Sequence, residues 1–253
     1  MRILSYNIHG AVGADGLRSE ERIAEVIAES GASVVALQEL DHARPRSGGL
    51  HQAQKIADLL AMEFHFFPAF RLAEEEYGDA VLSRWPMRLV RAQQLPGREC
   101  WLLGERRGAL WVEVFAEGVS WQIINTHLGI GRTERYLQAL ALLGSEWMGE
   151  KGLGGLGGLG GLGGGRVLCG DFNSPRGGRV HSLLSRALRE VAPKMGVRTF
   201  PARFPVVTLD YFFVSPEVSD RGAEVHRTRL ARVASDHLPI VADLFANGRE
   251  VLE

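Results

Sequence analysis

The sequence predicts an α/β protein in which two packed sheets carry helices on their outer faces. Three observations point there. Strand-length apolar runs outnumber amphipathic helical segments. Strands and helices alternate early in the chain, whereas strand follows strand later. No break in composition divides the 253 residues, so one domain over 1–248 with a short tail, 249–253, is expected.

The elements follow in order. "RILSYNIHG" reads as a strand closed by Gly10. "SEERIAEVIAESG" places Ile23, Val26 and Ile27 on one helical face, with Ser19 as N-cap and Gly31 as the stop. "SVVALQEL" is a strand ending at Glu39. "GGLHQAQKIADLLAME" is a second helix, with Ile56, Leu59 and Leu60 on its apolar side. "EFHFFPAF" and "DAVLSRWP" are further strands, and "GALWVEVFAEGVSWQIINTHLG" is a hairpin turning at Glu117-Gly118. "ERYLQALALLGSEWM" is a third helix. Then come strand "RVLCGDF", a short helix near "VHSLLSRAL", and strands "TLDYFFVS", "AEVHRT" and "LPIVADLF".

Residues 152–165, "GLGGLGGLGGLGGG", stand apart. Glycine at this density loses too much backbone entropy to be expected in a helix or strand. The segment reads as a surface loop. A lid or membrane-touching role for its four leucines, Leu153, Leu156, Leu159 and Leu162, is the sharper alternative.

The bulk numbers exclude some classes. Apolar residues make up 45% and charged residues 23%, ordinary values for a chain with a sizeable core. A formal net charge of −1 gives no global attraction to nucleic acid or anionic membrane. Two cysteines, Cys100 and Cys169, suggest neither a disulfide framework nor a zinc site. No apolar run reaches the roughly 18–20 residues that span a bilayer, and "MRILSYNIHG" lacks a signal-peptide layout. A cytoplasmic monomer is the expectation.

Polar residues recur where apolar runs end: Asn7, Glu39, His127, Asp171, Asn173, Asp210, Asp236 and His237. A single such residue is ordinarily a cap or turn former, but half-buried carboxylates are costly unless paired or bound to a cation. Asn, Asp and Glu are hard oxygen ligands suited to Mg²⁺ or Mn²⁺. Histidines can bind phosphate or move protons. Together these are the parts needed to hydrolyse a phosphate ester.

In order, "SYNIHG", "ALQEL", "GDAVLSRWP", "NTHLG", "GDFNSP", "LDYFFVS" and "SDHLPI" resemble the motif set of the endonuclease/exonuclease/phosphatase superfamily, in particular its compact bacterial members. The likeness runs from residue 3 to about 245. It implies a four-layered α/β sandwich of two mainly antiparallel or mixed sheets, with the site where the sheets meet. Glu39 then resembles the principal metal ligand, with Asn7 and Asp236 completing the metal environment. Asp171 resembles the residue that activates the attacking water, and Asn173 its phosphate-holding neighbour. His127 and His237 resemble the pair that binds the scissile phosphate, and Asp210 the carboxylate that fixes His237. Asp79 stands where this family pattern has Asn, so a histidine-pairing role or repulsion of substrate are both open for it. Arg107 is a candidate phosphate clamp, though a surface arginine is the simpler reading. His9, His51, His65, His181 and His226 match no motif and read as surface or structural, and the tryptophans read as core.

The resulting expectation is a Mg²⁺- or Mn²⁺-dependent phosphodiesterase using an activated water. Phospholipid, glycolipid or another small phosphodiester is the favoured substrate, with peripheral membrane contact allowed. A DNA-repair or nucleic-acid nuclease is the first alternative. It is disfavoured by the near-zero charge and by the lack of Lys/Arg runs with interleaved aromatics. A binding module that has kept the fold without catalysis is the second. It fits poorly because every expected catalytic position except 79 carries a usable residue.

Overall fold

The computed structural model describes residues 1–97, 106–148, 162–192 and 197–246. The expected tail, Cys100, Trp101 and most of the Gly-Leu segment lie outside the described residues.

The first sheet holds β1 (Arg2–Asn7), β2 (Val34–His42), β3 (Glu63–Leu72), β4 (Glu75–Ser83), β11 (Val218–Val225) and β12 (Ile240–Ala246), in the order β11-β12-β1-β2-β4-β3. The second holds β5 (Met87–Gln94), β6 (Gly108–Ala116), β7 (Val119–His127), β8 (Leu162–Asp171), β9 (Arg189–Glu190) and β10 (Asp210–Val214), in the order β5-β6-β7-β8-β10-β9. Each sheet is antiparallel except at its centre. There β1 pairs parallel with β2 across helix α1 (Glu20–Ser30), and β7 pairs parallel with β8 across helix α3 (Arg132–Leu142).

Four layers follow from the two-residue alternation of the strands. Ile3, Val34, Ala36, Val112, Cys169 and Phe212 point between the sheets. Their neighbours Leu4, Val35 and Leu37 meet Ile23, Val26 and Ile27 of α1 and Ile56 of α2 (Gln52–Leu60). On the opposite side Trp111, Leu168 and Phe213 meet Ala139 and Leu142 of α3 and Leu184 of α4 (Arg179–Ala187). Each large side chain so buried contributes roughly 1.5–3 kcal/mol relative to exposure.

Ser19 caps α1 by accepting from the Arg22 amide, and Gly31 ends it at φ 68°, as the sequence suggests. Several local readings are corrected. Leu59 is 46% exposed, because the α2 stripe runs through Ala53, Ile56 and Ala57. The third helix starts and ends earlier than "ERYLQALALLGSEWM", at Arg132 and Leu142. Strand β5, unmarked in the sequence pattern, is a sheet-edge strand rich in polar residues. The Gly-Leu segment is not loop to its end: β8 begins at Leu162, and Leu162 and Gly163 pair with Val119 and Ser120 of β7. Neighbouring strands supply the hydrogen bonds that offset the glycine entropy there.

Candidate active site

The parallel pairs β1/β2 and β7/β8 bring their C-terminal ends to one end of the sandwich, and the polar strand ends converge there. Register does the fine placement. His127 lies opposite Asp171 in the β7/β8 pair, and Asp210 opposite Asp171 in the β8/β10 pair. Beneath them a buried polar bridge ties the sheets. Gln38 Nε2 donates to Asn125 Oδ1 at 2.7 Å, and Asn125 Nδ2 donates to the carbonyls of Leu37 and Ala80. Gln38 and Asn125 fall within "ALQEL" and "NTHLG", but the sequence assigns neither a role, since each sits within a strand and its partner lies in the other sheet.

Gly170 makes the close approach possible. Its φ is +136°, and a Cβ there would stand 1.8 Å from the Thr126 carbonyl oxygen. Glu39, expected at a strand end, instead sits within β2 in a bulge between Leu37 and Leu40, at φ 65°. A left-handed Glu is strained, and the bulge re-aims its side chain into the site. Asn173 also adopts a left-handed conformation, at φ 49°, which Asn tolerates better.

Asn7 links the two sheets at the site. Its Oδ1 accepts from the His9 amide, so its Nδ2 is the donor to Glu39 Oε1 at 2.9 Å and Asp171 Oδ2 at 3.1 Å. Asp171 Oδ1 accepts from the Asn173 amide at 2.8 Å, while Oδ2 lies 3.5 Å from His127 Nε2 and 3.6 Å from His237 Nε2. Burial pushes the Asp171 carboxyl up, the His237 charge opposes this, and Asp210 adds to it, leaving a value of about 7.

His237 Nδ1 pairs with Asp210 Oδ2 at 3.0 Å. Burial disfavours its charged ring, but Asp210 and Asp171 outweigh burial and push it up to about 10. Ser235 holds this loop by donating to the Asn7 carbonyl at 2.8 Å. Asp171, Asp210 and His237 form a compact buried group with ligand atoms within 4.8 Å of one another. Both nitrogens of His237 face carboxylates, which favours the charged ring when no cation sits between them.

His127 has the opposite character. Burial, then the Arg107 and His237 charges, hold it well below the ordinary histidine value. Arg107 Nη1 lies 3.1 Å from its Nδ1, so a donor faces Nδ1 as Asn173 Nδ2 faces Nε2, a setting that suits a neutral ring. Asn173 Nδ2 donates to the Leu128 carbonyl at 2.8 Å and approaches Nε2 at 3.0 Å. Arg107 is 7% exposed, which overturns the surface reading and turns its Nη1 toward His127. Asp79 is 3% exposed. Burial raises its carboxyl to about 8; Arg107 and the Glu39 amide oppose the shift, and Glu39 and Asp171 reinforce it. Asp79 thus reaches the site electrostatically, from beside Arg107.

Asp236 is half-buried and accepts from Ser235 at 3.4 Å. Its charge is felt by Tyr6 and His237. The structure thus joins Asn7, Glu39, Asp171, Asp210, His127, His237 and Asn173 in one network, and places Asp236 at its edge without a hydrogen bond to Asn7 or Glu39. The donor set fits a divalent cation. Carboxylates crowd the site, two of them pushed up by burial, and Asp210 Oδ1 is buried without a hydrogen-bond partner.

Comparison with known proteins agrees with this geometry. The model of the Endonuclease/Exonuclease/phosphatase family matches residues 4–237. The Escherichia coli (strain K12) protein YbhP is 28% identical, across 96% of this chain and 95% of its own. Among solved structures, an endonuclease/exonuclease/phosphatase from Beutenbergia cavernae superposes with a TM-score of 0.71 at 23% identity, over 99% of this chain and 72% of that one. The Bacteroides thetaiotaomicron mannosyl-6-phosphatase Bt3783 gives 0.73 at 20% identity, over 96% and 99%. The human Nocturnin catalytic domain gives 0.68 at 20%, over 98% and 94%. At these identities the structures share the fold.

Proposed function

Because the chain belongs to the endonuclease/exonuclease/phosphatase family, we propose that it is a divalent-metal-dependent phosphodiesterase acting on a small phosphodiester, phospholipids and glycolipids included. The observation that carries this reading is Asp171: buried, pushed up to about 7, and flanked at 3.5 and 3.6 Å by the Nε2 atoms of two histidines. A carboxylate tuned to that value takes a proton from water more effectively than an ordinary Asp at neutral pH.

Asp171 accepts the proton of the attacking water while Asn7 and the Asn173 amide hold its oxygens in place. The His237 imidazolium, anchored by Asp210, faces the negative charge that grows on the phosphoryl oxygens. His127, held neutral, turns its ring to the same group without adding a titrating charge. Attack forms one P–O bond and breaks the ester P–O bond, giving an alcohol and a phosphomonoester. A Mg²⁺ or Mn²⁺ held by Glu39, with Asn7 and Asp236 around it, would screen the phosphate charge and steady the leaving oxygen.

The test is a panel of bis(p-nitrophenyl) phosphate, p-nitrophenyl phosphate, phospholipid and abasic duplex DNA, each with Mg²⁺, Mn²⁺ and EDTA. Diester turnover that vanishes in EDTA and returns with either metal is expected. Undiminished turnover after exhaustive chelation overturns the metal assignment, and cleavage of abasic DNA alone overturns the substrate class.

A further inference from the structure

A pocket of about 540 Å³ opens beside the site, on the outer helical layer of the second sheet. Its lining includes Arg132, Thr133, Ser174, Gly178 and Arg179. Two helices begin at this pocket, α3 after Gly131 and α4 after Gly178, and neither has a side-chain cap. The first-turn amides of both therefore keep their donor capacity, and the positive ends of both helix dipoles reach one cavity.

The side chains add to this field. Arg132 and Arg179 have no carboxylate partner among the described residues, and Arg179 lies over the Tyr136 ring at 3.7 Å. Arg135, also on the lining, is fixed by donating to the carbonyls of Ile130 and Asn173. Glu134, the acidic residue of the first α3 turn, lies against Gly129, Gly97 and Gly131, so one carboxylate stands at the α3 end of the pocket and the guanidiniums must outweigh it. Ser174 is 2% exposed, yet its hydroxyl makes no hydrogen bond among the described residues. Its Oγ lies 2.8 Å from where a Cβ on Gly178 would stand, at the start of α4. That hydroxyl lines a cavity together with two uncapped helix ends and two guanidiniums that have no carboxylate partner among the described residues. These groups together match the acceptor oxygens of a phosphate.

We propose that this pocket is a second anion subsite that takes a phosphate group carried by the substrate next to its scissile ester. Ser174 follows Asn173 directly, and Arg135 binds the Asn173 carbonyl, so the subsite shares a wall with the phosphate-handling end of the site. The inference rests on the phosphodiesterase reading for its placement next to the reacting ester. It narrows the substrate to a small phosphodiester bearing a further phosphate.

The experiment is a titration of the full chain with inorganic phosphate in EDTA, followed by backbone amide NMR. The amides of Arg132, Thr133, Arg179 and Val180 are expected to shift together and saturate. The double variant Arg132→Gln/Arg179→Gln should weaken that binding about tenfold or more, as loss of charge-assisted hydrogen bonds implies. Ser174→Ala should weaken it less. Shifts that never saturate, or that persist unchanged in the double variant, overturn the subsite. Binding is read without catalysis. If phosphate binds here but no diester is cleaved, the activity assignment fails and the subsite stands. If diesters are cleaved but these amides do not respond, the subsite fails alone.

Discussion

Nη1 of Arg107 stands 3.1 Å from Nδ1 of His127 and, as a pure donor, disfavours a proton on that nitrogen. Arg107→Gln replaces a pure donor with an amide that can also accept. Nδ1 then becomes free to protonate, and one of the charges holding the ring's pKa down is gone. The ¹⁵N shifts of His127 should move toward the Nδ1–H tautomer, with its pKa rising. Turnover should fall about 10- to 100-fold, at the lower end of what a positioned proton-transfer group contributes. Unchanged ring shifts would show that Arg107 does not set the tautomer.

Asp79 is a buried acid raised to about 8. Its folded state holds a proton that the unfolded chain releases near the ordinary carboxylate value, so its contribution is fully present at acid pH. That contribution is lost as pH rises from about 4 through about 8. Asp79→Asn keeps the shape and removes the titration. Stability near pH 5 should be within about 1 kcal/mol of the parent, and the variant should overtake the parent above pH 8. Denaturant melts at the two pH values read this directly. A variant that is less stable at both would mean the charged form is the working one.

The reasons some of this was legible in the sequence, and some not, are physical. An apolar run bounded by a polar residue shows a strand end, so Asn7, His127 and Asp171 at the ends of their strands and Asp210 at the start of its own could be placed from sequence. Ser19 and Gly31 were readable because capping chemistry is local. Glu39 misled because a bulge is set by the partner strand β4, and alternation within "SVVALQEL" contains no trace of it. Arg107 looked like a surface residue because its burial depends on His127 and Asp79, which lie on other strands. The Gln38–Asn125 bridge joins residues of different sheets, and β5 hid its strand character behind edge-strand polarity.

The pair Asp210–His237 carries a pH signature of the same sign at higher pH. His237 is held charged up to about 10, so its contribution is fully present below the ordinary histidine value and is lost as pH rises through about 10. Asp210→Asn removes the strongest charge supporting the imidazolium. The alkaline limb of the pH–rate profile should move downward, toward neutrality. A limb that stays in place would show that His237 charge does not govern the reaction.

The Gly-Leu segment should tolerate shortening up to the edge of β8. If residues 152–161 are the surface loop the sequence predicts, replacing them by a brief Gly-Ser turn changes only loop length, worth about 0.6 kcal/mol per doubling. Extending the deletion through residue 164 removes the pairing of Leu162 and Gly163 with β7. That should cost about 1 kcal/mol for each hydrogen bond lost. Equal melting temperatures for the two deletions would contradict the strand pairing.

The central claim is that Asp171 activates the attacking water, and Asp171→Asn tests it most directly. The variant keeps the side-chain shape and removes the basic oxygen. Hydrolysis of bis(p-nitrophenyl) phosphate in saturating Mg²⁺ should fall about 10²- to 10⁴-fold relative to the parent, with circular dichroism and melting temperature preserved. A folded Asp171→Asn protein with near-parental turnover would contradict the account.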